Sequence, residues 1–201
     1  MLARTWKRIV LLQILLLLLS GVASGNDDFH PRFSIGLKYT GLSIHLKKSE
    51  HPQLYRHNID KAGYGVLTHG FIINLEYFLH NDLALRVSQG LVFFDCAGKF
   101  HGATQIALSH GYRPTNSAHE FRVAAGPILF YRKSWKSLPG YVEDGLFKES
   151  PNKVWQSKFV WHGAEIEYNY WQSPTTAFSL NWLPGVPEIF TFSPGIKMLS
   201  E

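Results

Sequence analysis

The chain has 201 residues, a hydrophobic content of 45%, a charged content of 17% and a formal net charge of +5. This length suits one domain behind a targeting segment, and a single cysteine, Cys96, excludes an internal disulfide bond. The positive charge does not indicate a nucleic-acid-binding protein, because much of it falls in the first residues of the chain.

The N-terminal 25 residues have the composition of a secretory signal peptide. Three basic residues, Arg4, Lys7 and Arg8, precede an apolar core over residues 9–19, and the small residues 22–25 form a cleavage region. The apolar core is shorter than the roughly 20 residues that a membrane-spanning helix needs. We therefore predict export, with residues 1–25 removed and residues 26–201 forming the mature domain. Removing three basic residues from a net charge of +5 leaves +2.

The first predicted strand shows alternating apolar and polar side chains over residues 33–39. The alternation changes phase after Gly41, which predicts a β-bulge at that glycine. A polar loop follows, with His45, His51 and His57 evenly spaced in and beside it. A flexible loop does not fix metal ligands, so we predict no metal site.

The rest of the chain continues as strands separated by turn residues. They are predicted at residues 64–79, 83–94, 155–170, 177–182 and 189–199, together with a hairpin within residues 100–135. The stretch 132–154 is the longest irregular one, and no helix is predicted. About eight strands joined by turns predict an all-β protein, either an up-and-down antiparallel β-barrel or a sandwich.

The hairpin within residues 100–135 has the clearest alternation in the chain. If Ser109 pairs with Glu120, apolar positions face apolar positions and polar or small positions face their like along the whole hairpin. We therefore predict this register, with one apolar face and one polar face that carries charge.

The polar faces of the predicted strands carry charged residues beside many small ones, such as Gly36, Ala84 and Ala124. The crowded interior of a narrow barrel requires small side chains, whereas a water-facing surface does not. Acids and bases enclosed in such an interior can pair with one another. We predict an inward-facing charge network formed by Lys38, Glu76, Arg86, Glu120, Arg122, Glu165 and Glu167.

Two kinds of barrel satisfy this pattern. A soluble barrel turns its apolar face inward and binds an apolar ligand, as lipocalins do, whereas an outer-membrane barrel turns that face to lipid. Aromatic residues near predicted strand ends, including Tyr39, Trp155 and Trp182, favour the membrane barrel. Membrane barrels carry aromatic girdles at both interfaces.

The combination of a signal peptide, about eight amphipathic strands, a small lumen of mixed charge and loops of alternating length resembles the small bacterial outer-membrane barrels of the OmpA and OmpX kind. The resemblance covers nearly all of residues 26–201, is one of architecture and includes no catalytic motif. It implies a location in the bacterial outer membrane, with the termini in the periplasm and the long loops outside.

The best candidates for catalysis are His110, Ser117, His119 and Glu120, near the turn of the hairpin. A His close to a Ser and a Glu suits acyl transfer, and some eight-stranded barrels are lipid A deacylases. Those enzymes use a His-x-Ser pair, which is absent here because His110 is followed by Gly-Tyr. A lipid A acyl hydrolase is therefore an alternative only, and no cofactor motif is present.

Basic and aromatic residues lie where the hairpin runs into the long irregular stretch. They are Arg132, Lys133, Trp135 and Lys136. At the outer rim of a barrel they could bind the anionic head groups of lipopolysaccharide, and a solvated loop is the alternative interpretation.

We predict an outer-membrane β-barrel with a structural or surface-interaction role. It has no pore, because a lumen of this size is filled by side chains. The expected partner is outer-membrane lipid, with lipopolysaccharide head groups as a candidate ligand, and we expect a monomer without a nucleic-acid partner. The alternatives are a lipid A acyl hydrolase and a soluble periplasmic, lipocalin-like binder of apolar ligands.

Overall fold

The computed structural model of the protein describes residues 32–45, 54, 59–142, 145–185 and 189–200. The predicted signal peptide lies outside these residues, and so do His51 and His57. Within the described ranges, no helix is long and apolar enough to cross a membrane.

Within the described residues, nine antiparallel strands form one sheet. They are β1 (Phe33–His45), β2 (Gly65–Phe78), β3 (Leu83–Phe94), β4 (His101–Tyr112), β5 (His119–Lys133), β6 (Lys148–Glu149), β7 (Trp155–Trp171), β8 (Thr176–Gly185) and β9 (Ile189–Ser200). The short β6 pairs only with β7, while the other eight pair with their neighbours, β5 with β7 and β1 with β9. These pairings close an eight-stranded barrel, so the predicted up-and-down β-barrel is confirmed.

Side chains alternate between the two faces of the barrel wall. In β1, Leu37 is 53% exposed and the next residue, Lys38, is 1% exposed. In β5, Val123 is 39% exposed and Arg122 is 1% exposed. The apolar face therefore lies outside and the charged face inside. A lipocalin-like barrel requires the opposite orientation, and we discard that alternative.

A bulge in β1 keeps this orientation along the whole strand. The pairing of β1 with β2 shifts register between Thr40 and Leu42, which confirms the predicted bulge at Gly41. One extra residue reverses the alternation. Ser43 therefore points into the barrel and Ile44 points outward, so the exterior stays apolar beyond the phase change.

The predicted register of the hairpin formed by β4 and β5 is wrong. Ser109 pairs with Ala124, four residues beyond the predicted partner Glu120. An even displacement leaves every side chain on its original face, so the alternation of residue types could not detect it. Glu120 pairs with Asn169 of β7 instead, beyond the point where β4 ends.

The two ends of the barrel differ in their connections. At the end where β1 begins, short segments join β2 to β3, β4 to β5 and β7 to β8. At the opposite end, residues 134–154 form the long connection between β5 and β7, and residues 95–100 join β3 to β4. We call these the inner end and the outer end, respectively.

Candidate functional site

Among the residues that the structure describes, eight charged side chains point into the middle and the inner part of the barrel, and all are buried. They are Lys38, Glu76, Arg86, Glu120, Arg122, Glu165, Glu167 and Lys197. Each stands on the inward-facing set of positions of its strand, which the period of two fixes. The structure thus brings together the seven residues of the predicted network, and it adds Lys197.

Sequence reasoning missed Lys197 because Pro194 and Gly195 interrupt the pattern of the last strand. A usable signal was present beyond the interruption. Lys197 lies between Ile196 and Met198, which are both exposed on the apolar face. The alternation after Gly195 therefore assigns Lys197 to the interior.

Arg86 lies at the centre of the network. Its Nε donates a hydrogen bond to Glu76 Oε1 at 2.8 Å, and its Nη1 donates to Glu165 Oε1 at 2.6 Å. Its Nη2 lies 3.0 Å from Glu167 Oε2. One guanidinium on β3 thus holds carboxylates from β2 and β7, a use for which its planar set of donors is well suited.

Arg122 occupies the part of the lumen nearest the inner end. Its Nη1 donates to Glu120 Oε1 at 2.7 Å, and its Nε donates to Ser109 Oγ at 3.2 Å. The second oxygen of Glu120 accepts hydrogen bonds from Asn169 Nδ2 and Trp171 Nε1, both at 3.0 Å. Both oxygens of this buried carboxylate therefore have donors, as burial of a charge requires.

Two lysines complete the network from adjacent strands. Lys38 Nζ on β1 donates to Glu167 and lies 3.4 Å from Glu165 Oε1. Lys197 Nζ on β9 lies 2.6 Å from Glu76 Oε2 and donates to Glu167 Oε1 at 2.9 Å. With two arginines, two lysines and four glutamates, the network has a formal charge of zero. Mutual pairing of this kind offsets the cost of taking the charges out of water.

A second cluster lies at the outer end, around Arg132. The Arg132 guanidinium carbon is 4.1 Å from the ring centre of Trp135 and 4.0 Å from that of Phe147. Its Nε donates to Gln156 Oε1 at 3.0 Å, and its Nη2 donates to the Tyr141 hydroxyl at 3.2 Å. Stacking on two aromatic faces and donation in the guanidinium plane are both typical of a partly desolvated arginine.

Asp95 links this cluster to the turn between β3 and β4. Its Oδ1 accepts hydrogen bonds from the backbone amides of Ala97 at 2.9 Å and Lys99 at 2.7 Å, and its Oδ2 accepts from Trp135 Nε1 at 3.0 Å. Burial raises the pKa of Asp95 above its ordinary value of 3.8, although these hydrogen bonds and the charge of Arg132 act in the opposite direction.

Two of the four residues predicted at the outer rim are turned inward. Arg132 and Trp135 are both buried. The sequence placed them at the surface because they flank an irregular stretch. Arg132 occupies an inward-facing position of β5, in the same alternating set as Glu120 and Arg122. Phe147 and Tyr141, from the irregular stretch, then provide it with aromatic and hydrogen-bonding partners.

The other two rim residues lie at the outer surface. Lys133 is exposed, and its Nζ lies 4.6 Å from the ring centre of Trp155. Lys136 is also exposed, and its Nζ lies 2.8 Å from Glu149 Oε2. Of the four predicted residues, only these two present a basic group to the medium outside the barrel.

The four catalytic candidates do not converge. Glu120 points into the lumen, whereas the His119 ring is exposed and its Nδ1 is 2.7 Å from the Tyr168 hydroxyl. Ser117 Oγ accepts a hydrogen bond from the backbone amide of His119 at 3.0 Å. His110 Nδ1 lies 3.8 Å from a carboxylate oxygen in the β2–β3 turn. Acyl transfer needs a nucleophile bonded to a base that a third group orients, and these four residues do not form that arrangement.

Cys96 lies in the β3–β4 turn and is partly buried. Burial, and secondarily the charge of Asp95, raises the pKa of its thiol, which disfavours the reactive thiolate. Across the part of the chain that the structure describes, no three His, Cys, Asp or Glu side chains are grouped to hold a metal ion.

No protein-family model and no curated protein sequence matches the chain. Solved structures do match its shape. The crystal structure of Ail, the attachment invasion locus protein of Yersinia pestis, aligns with a TM-score of 0.51 and 14% identity over 86% of this chain and 100% of that one. This chain has the fold of the small outer-membrane β-barrels. The predicted resemblance in architecture is therefore confirmed.

Two other barrels of this kind align less closely. The N-terminal β-barrel domain of OprF from Pseudomonas aeruginosa gives a TM-score of 0.47 and 14% identity over 85% of this chain and 100% of that one. Neisserial surface protein A gives a TM-score of 0.47 and 12% identity over 83% of this chain and 96% of that one.

Proposed function

We propose that the protein is a bacterial outer-membrane β-barrel, exported by the signal at residues 1–25, with a structural or surface-interaction role and no pore. The exterior of the wall supports a membrane location. Large apolar side chains on every barrel strand are exposed to the surroundings, among them Leu37, Leu75, Ile106 and Phe178. Such a belt is costly in water, but it is the expected exterior of a barrel that spans lipid.

The ion-pair network is the main observation in support of a barrel without a pore. Arg86 of β3 contacts Glu165 of β7, and Lys38 of β1 contacts Glu167 of β7, so these side chains reach across the interior. An eight-stranded barrel has an interior just wide enough for side chains to fill it. At the outer end, Arg132 forms a second buried cluster with Trp135, Phe147 and Gln156.

The lengths of the connections support one orientation in the membrane. Bacterial barrels have short periplasmic turns and longer extracellular loops. The inner end then faces the periplasm, and residues 134–154 lie on the cell surface. In this orientation Lys133 and Lys136 stand at the level of the outer leaflet, whose lipopolysaccharide carries anionic groups.

A surface-interaction role rests on these exposed lysines, and first on Lys133, because Lys136 also pairs with Glu149. Each basic residue near an anionic surface contributes about 1 kcal/mol of attraction. Lys133 lies over Trp155, so an aromatic ring and a cation meet at the same point of the rim. This combination suits the sugar and phosphate of a lipopolysaccharide head group.

Membrane fractionation and conductance test the proposal together. We expect the protein to stay with outer membranes after a wash with high salt and to enter detergent micelles. In planar bilayers, the purified protein should then give no stable conductance steps. Recovery in the soluble periplasmic fraction would contradict the membrane location, and regular conductance steps would contradict the closed lumen.

A further inference from the structure

The barrel wall has a seam between β7 and β8 in its outer half. Within the described residues, the ladder between these strands ends where Ile166 pairs with Trp182. Beyond that pair, β7 continues to Trp155 in pairing with β5, and β8 continues to Gly185 in pairing with β9. The two strands therefore separate towards the outer end. The seam lies beside residues 158–165 of β7 and ends where β6 pairs with the same strand.

Two features of the sequence end the ladder at this point. The Gln172 amide donates a hydrogen bond to the Thr176 carbonyl at 3.0 Å, and pairs of this kind recur at every second residue of an antiparallel ladder. Continued in the same register, the next hydrogen-bonded pair beyond the end of the ladder would join Ala164 to Pro184, and a proline has no amide hydrogen to donate. The register between β7 and β5 also shifts at Pro127, and such a bulge bends the strand that carries it.

Apolar side chains of both strands face the lumen along the seam. Val160 of β7 pairs with Ile128, an inward-facing residue of β5, and therefore also faces inward. Leu183 of β8 follows the outward-facing Trp182, so it faces inward as well. Val160 and Leu183 are partly exposed, whereas Ile128 is only 7% exposed. The seam therefore makes inward-facing apolar side chains accessible from the side of the barrel.

The lumen beside the seam is lined mainly by apolar side chains, and we call this part the apolar zone. Its inward-facing residues are Ile72, Val92, Ile128, Val160 and Leu183. Gly90 of β3 and Ala103 of β4 pair with each other and face the same zone. The nearest atom to a Cβ added at Gly90 would be 3.7 Å away, so no side chain fills that position. Gln105 and the ion-pair network bound the zone towards the inner end.

Aromatic side chains flank the seam on the outside of the wall. The rings of Phe159 and Trp161 on β7 lie 4.8 Å apart, and Trp182 stands on β8. At the outer end of the seam, Lys148 of β6 is exposed and pairs with Ser157, which shares the outward-facing positions of Phe159. Residues directly opposite in a ladder share a face, so Lys148 also faces outward. An apolar opening with a base at its outer end matches a hydrocarbon chain that carries an anionic head.

We propose that the seam admits one acyl chain of a lipopolysaccharide molecule into the apolar zone, with an anionic group of its head at Lys148. The inference rests on the proposed membrane location and orientation, in which the seam opens to the outer leaflet. It goes beyond head-group contact at Lys133, because it places a chain inside the barrel. A second copy of the protein could cover the edge of β7, but it would not reach Val160 and Leu183, which face the lumen.

The test measures contacts between lipid chains and methyl groups by nuclear magnetic resonance. The full chain carries labelled Leu and Val methyls and is otherwise deuterated, in micelles of deuterated detergent to which protonated lipopolysaccharide is added. We expect nuclear Overhauser contacts from acyl-chain protons to Val160 and Leu183, inside the seam, as well as to Val123, on the lipid-facing wall. Lys148→Gln should lower the affinity for lipopolysaccharide about fivefold, the effect of one basic residue near an anionic surface.

A matched pair of variants separates the inside of the wall from the outside. Ala103→Leu enlarges a side chain in the apolar zone, and Ala125→Leu makes the same change on the outward-facing set of β5. We expect Ala103→Leu to lose the contacts at Val160 and Leu183, and Ala125→Leu to keep them. Gly90→Leu fills the zone from β3 and repeats the test if Ala103→Leu folds poorly.

Three results would overturn the site. They are the absence of acyl contacts at Val160 and Leu183 while Val123 shows them, equal contacts in the two alanine variants, and the same inner contacts when protonated phosphatidylglycerol replaces lipopolysaccharide. Lipopolysaccharide binding that depends on Lys133 but gives no inner contacts would leave the proposed function intact and refute only the seam. The absence of lipid contacts at Val123 is a different result, because it refutes the membrane barrel itself.

Discussion

The indole nitrogen of Trp135 donates a hydrogen bond to Asp95 Oδ2 at 3.0 Å, and this bond joins the long β5–β7 connection to the short β3–β4 turn. The other oxygen of Asp95 holds the turn itself through two backbone amides. One buried carboxylate therefore fixes both connections at the outer end. The three hydrogen bonds to this carboxylate offset part of the cost of burying it.

The raised pKa of Asp95 predicts a pH dependence with a definite sign. Between pH 3.8, its ordinary pKa, and its higher pKa in the fold, the folded state binds more protons than the unfolded state. The free energy of unfolding contributed by Asp95 is therefore highest below pH 3.8 and falls as the pH rises through the folded pKa. We expect the free energy of unfolding in urea, measured in vesicles, to differ less between the wild type and Asp95→Asn as the pH rises through this window. Above the window the difference should stay constant. Parallel curves would contradict the assignment.

Removal of the central cation of the lumen should be strongly destabilising. Arg86→Leu removes the guanidinium that contacts Glu76 and Glu165 and leaves the network with one excess negative charge, and breaking a buried pair in this way costs about 3–5 kcal/mol. Arg86→Lys keeps the charge and serves as the control, with a smaller loss. The stability of both variants is measured as the free energy of unfolding in urea, with the folded fraction read from the band of folded protein in gels. Equal stability of the two variants would show that the charge itself is unimportant.

The outward orientation of Val123 predicts the effect of a charge in the belt. Val123→Arg places a guanidinium in hydrocarbon and should cost about 2–4 kcal/mol near the middle of the bilayer. Val123→Leu, which keeps the surface apolar, should change stability little. Both are compared by urea titration in phospholipid vesicles. If Val123→Arg were as stable as the wild type, the outer face of β5 would not be in contact with lipid.

Charge reversal at the outer rim should weaken binding to lipopolysaccharide. We expect Lys133→Glu combined with Lys136→Glu to lower the affinity of the detergent-solubilised protein by about tenfold or more, since each lost base near an anionic surface costs about 1 kcal/mol. Arg113→Glu alters a base at the inner end and is the control. Calorimetry with purified lipopolysaccharide measures the affinities. An equal loss in the control would indicate non-specific attraction.

The separation of the catalytic candidates predicts that the protein does not cleave lipid A. The His119 ring is outside the barrel wall, whereas the Glu120 carboxylate is inside it. Wild-type protein in micelles should release no acyl chains from lipid A, and His110→Ala should behave identically. Acyl release that is lost in His110→Ala would restore the hydrolase alternative. Mass spectrometry of the recovered lipid is the measurement.

The positions of the strands and the side chains on each of their two faces could be predicted from the sequence. The period of two reports directly which side chains share a face, so Lys38, Glu76 and Arg122 could be assigned to one interior before any contact was known. Even the change of phase at Gly41 was visible, because an inserted residue moves every later apolar position by one step.

The alternation of apolar and polar residues does not determine the register between strands or the contacts made by the loops. A displacement of four residues, as between Ser109 and its true partner Ala124, preserves both faces and is fixed only by the length of the turn and the neighbouring strand. Arg132 occupies an inward-facing position of β5, but its stacking partner Phe147 lies fifteen residues away in an irregular stretch without any period. Propensity and pattern have no information on such contacts.

The distribution of charge along the chain has a consequence for how the barrel assembles. Strands β1 to β5 contribute three bases and two acids to the network, and strands β7 to β9 contribute two acids and one base, so each part alone carries an unbalanced charge. Lys38 and Glu165 are 127 residues apart in the chain, yet they meet in the lumen. A half-built sheet in lipid would hold unpaired charges beside hydrocarbon, which is strongly unfavourable. Insertion and closure are therefore coupled, and neutrality is reached only when the first strand meets the last.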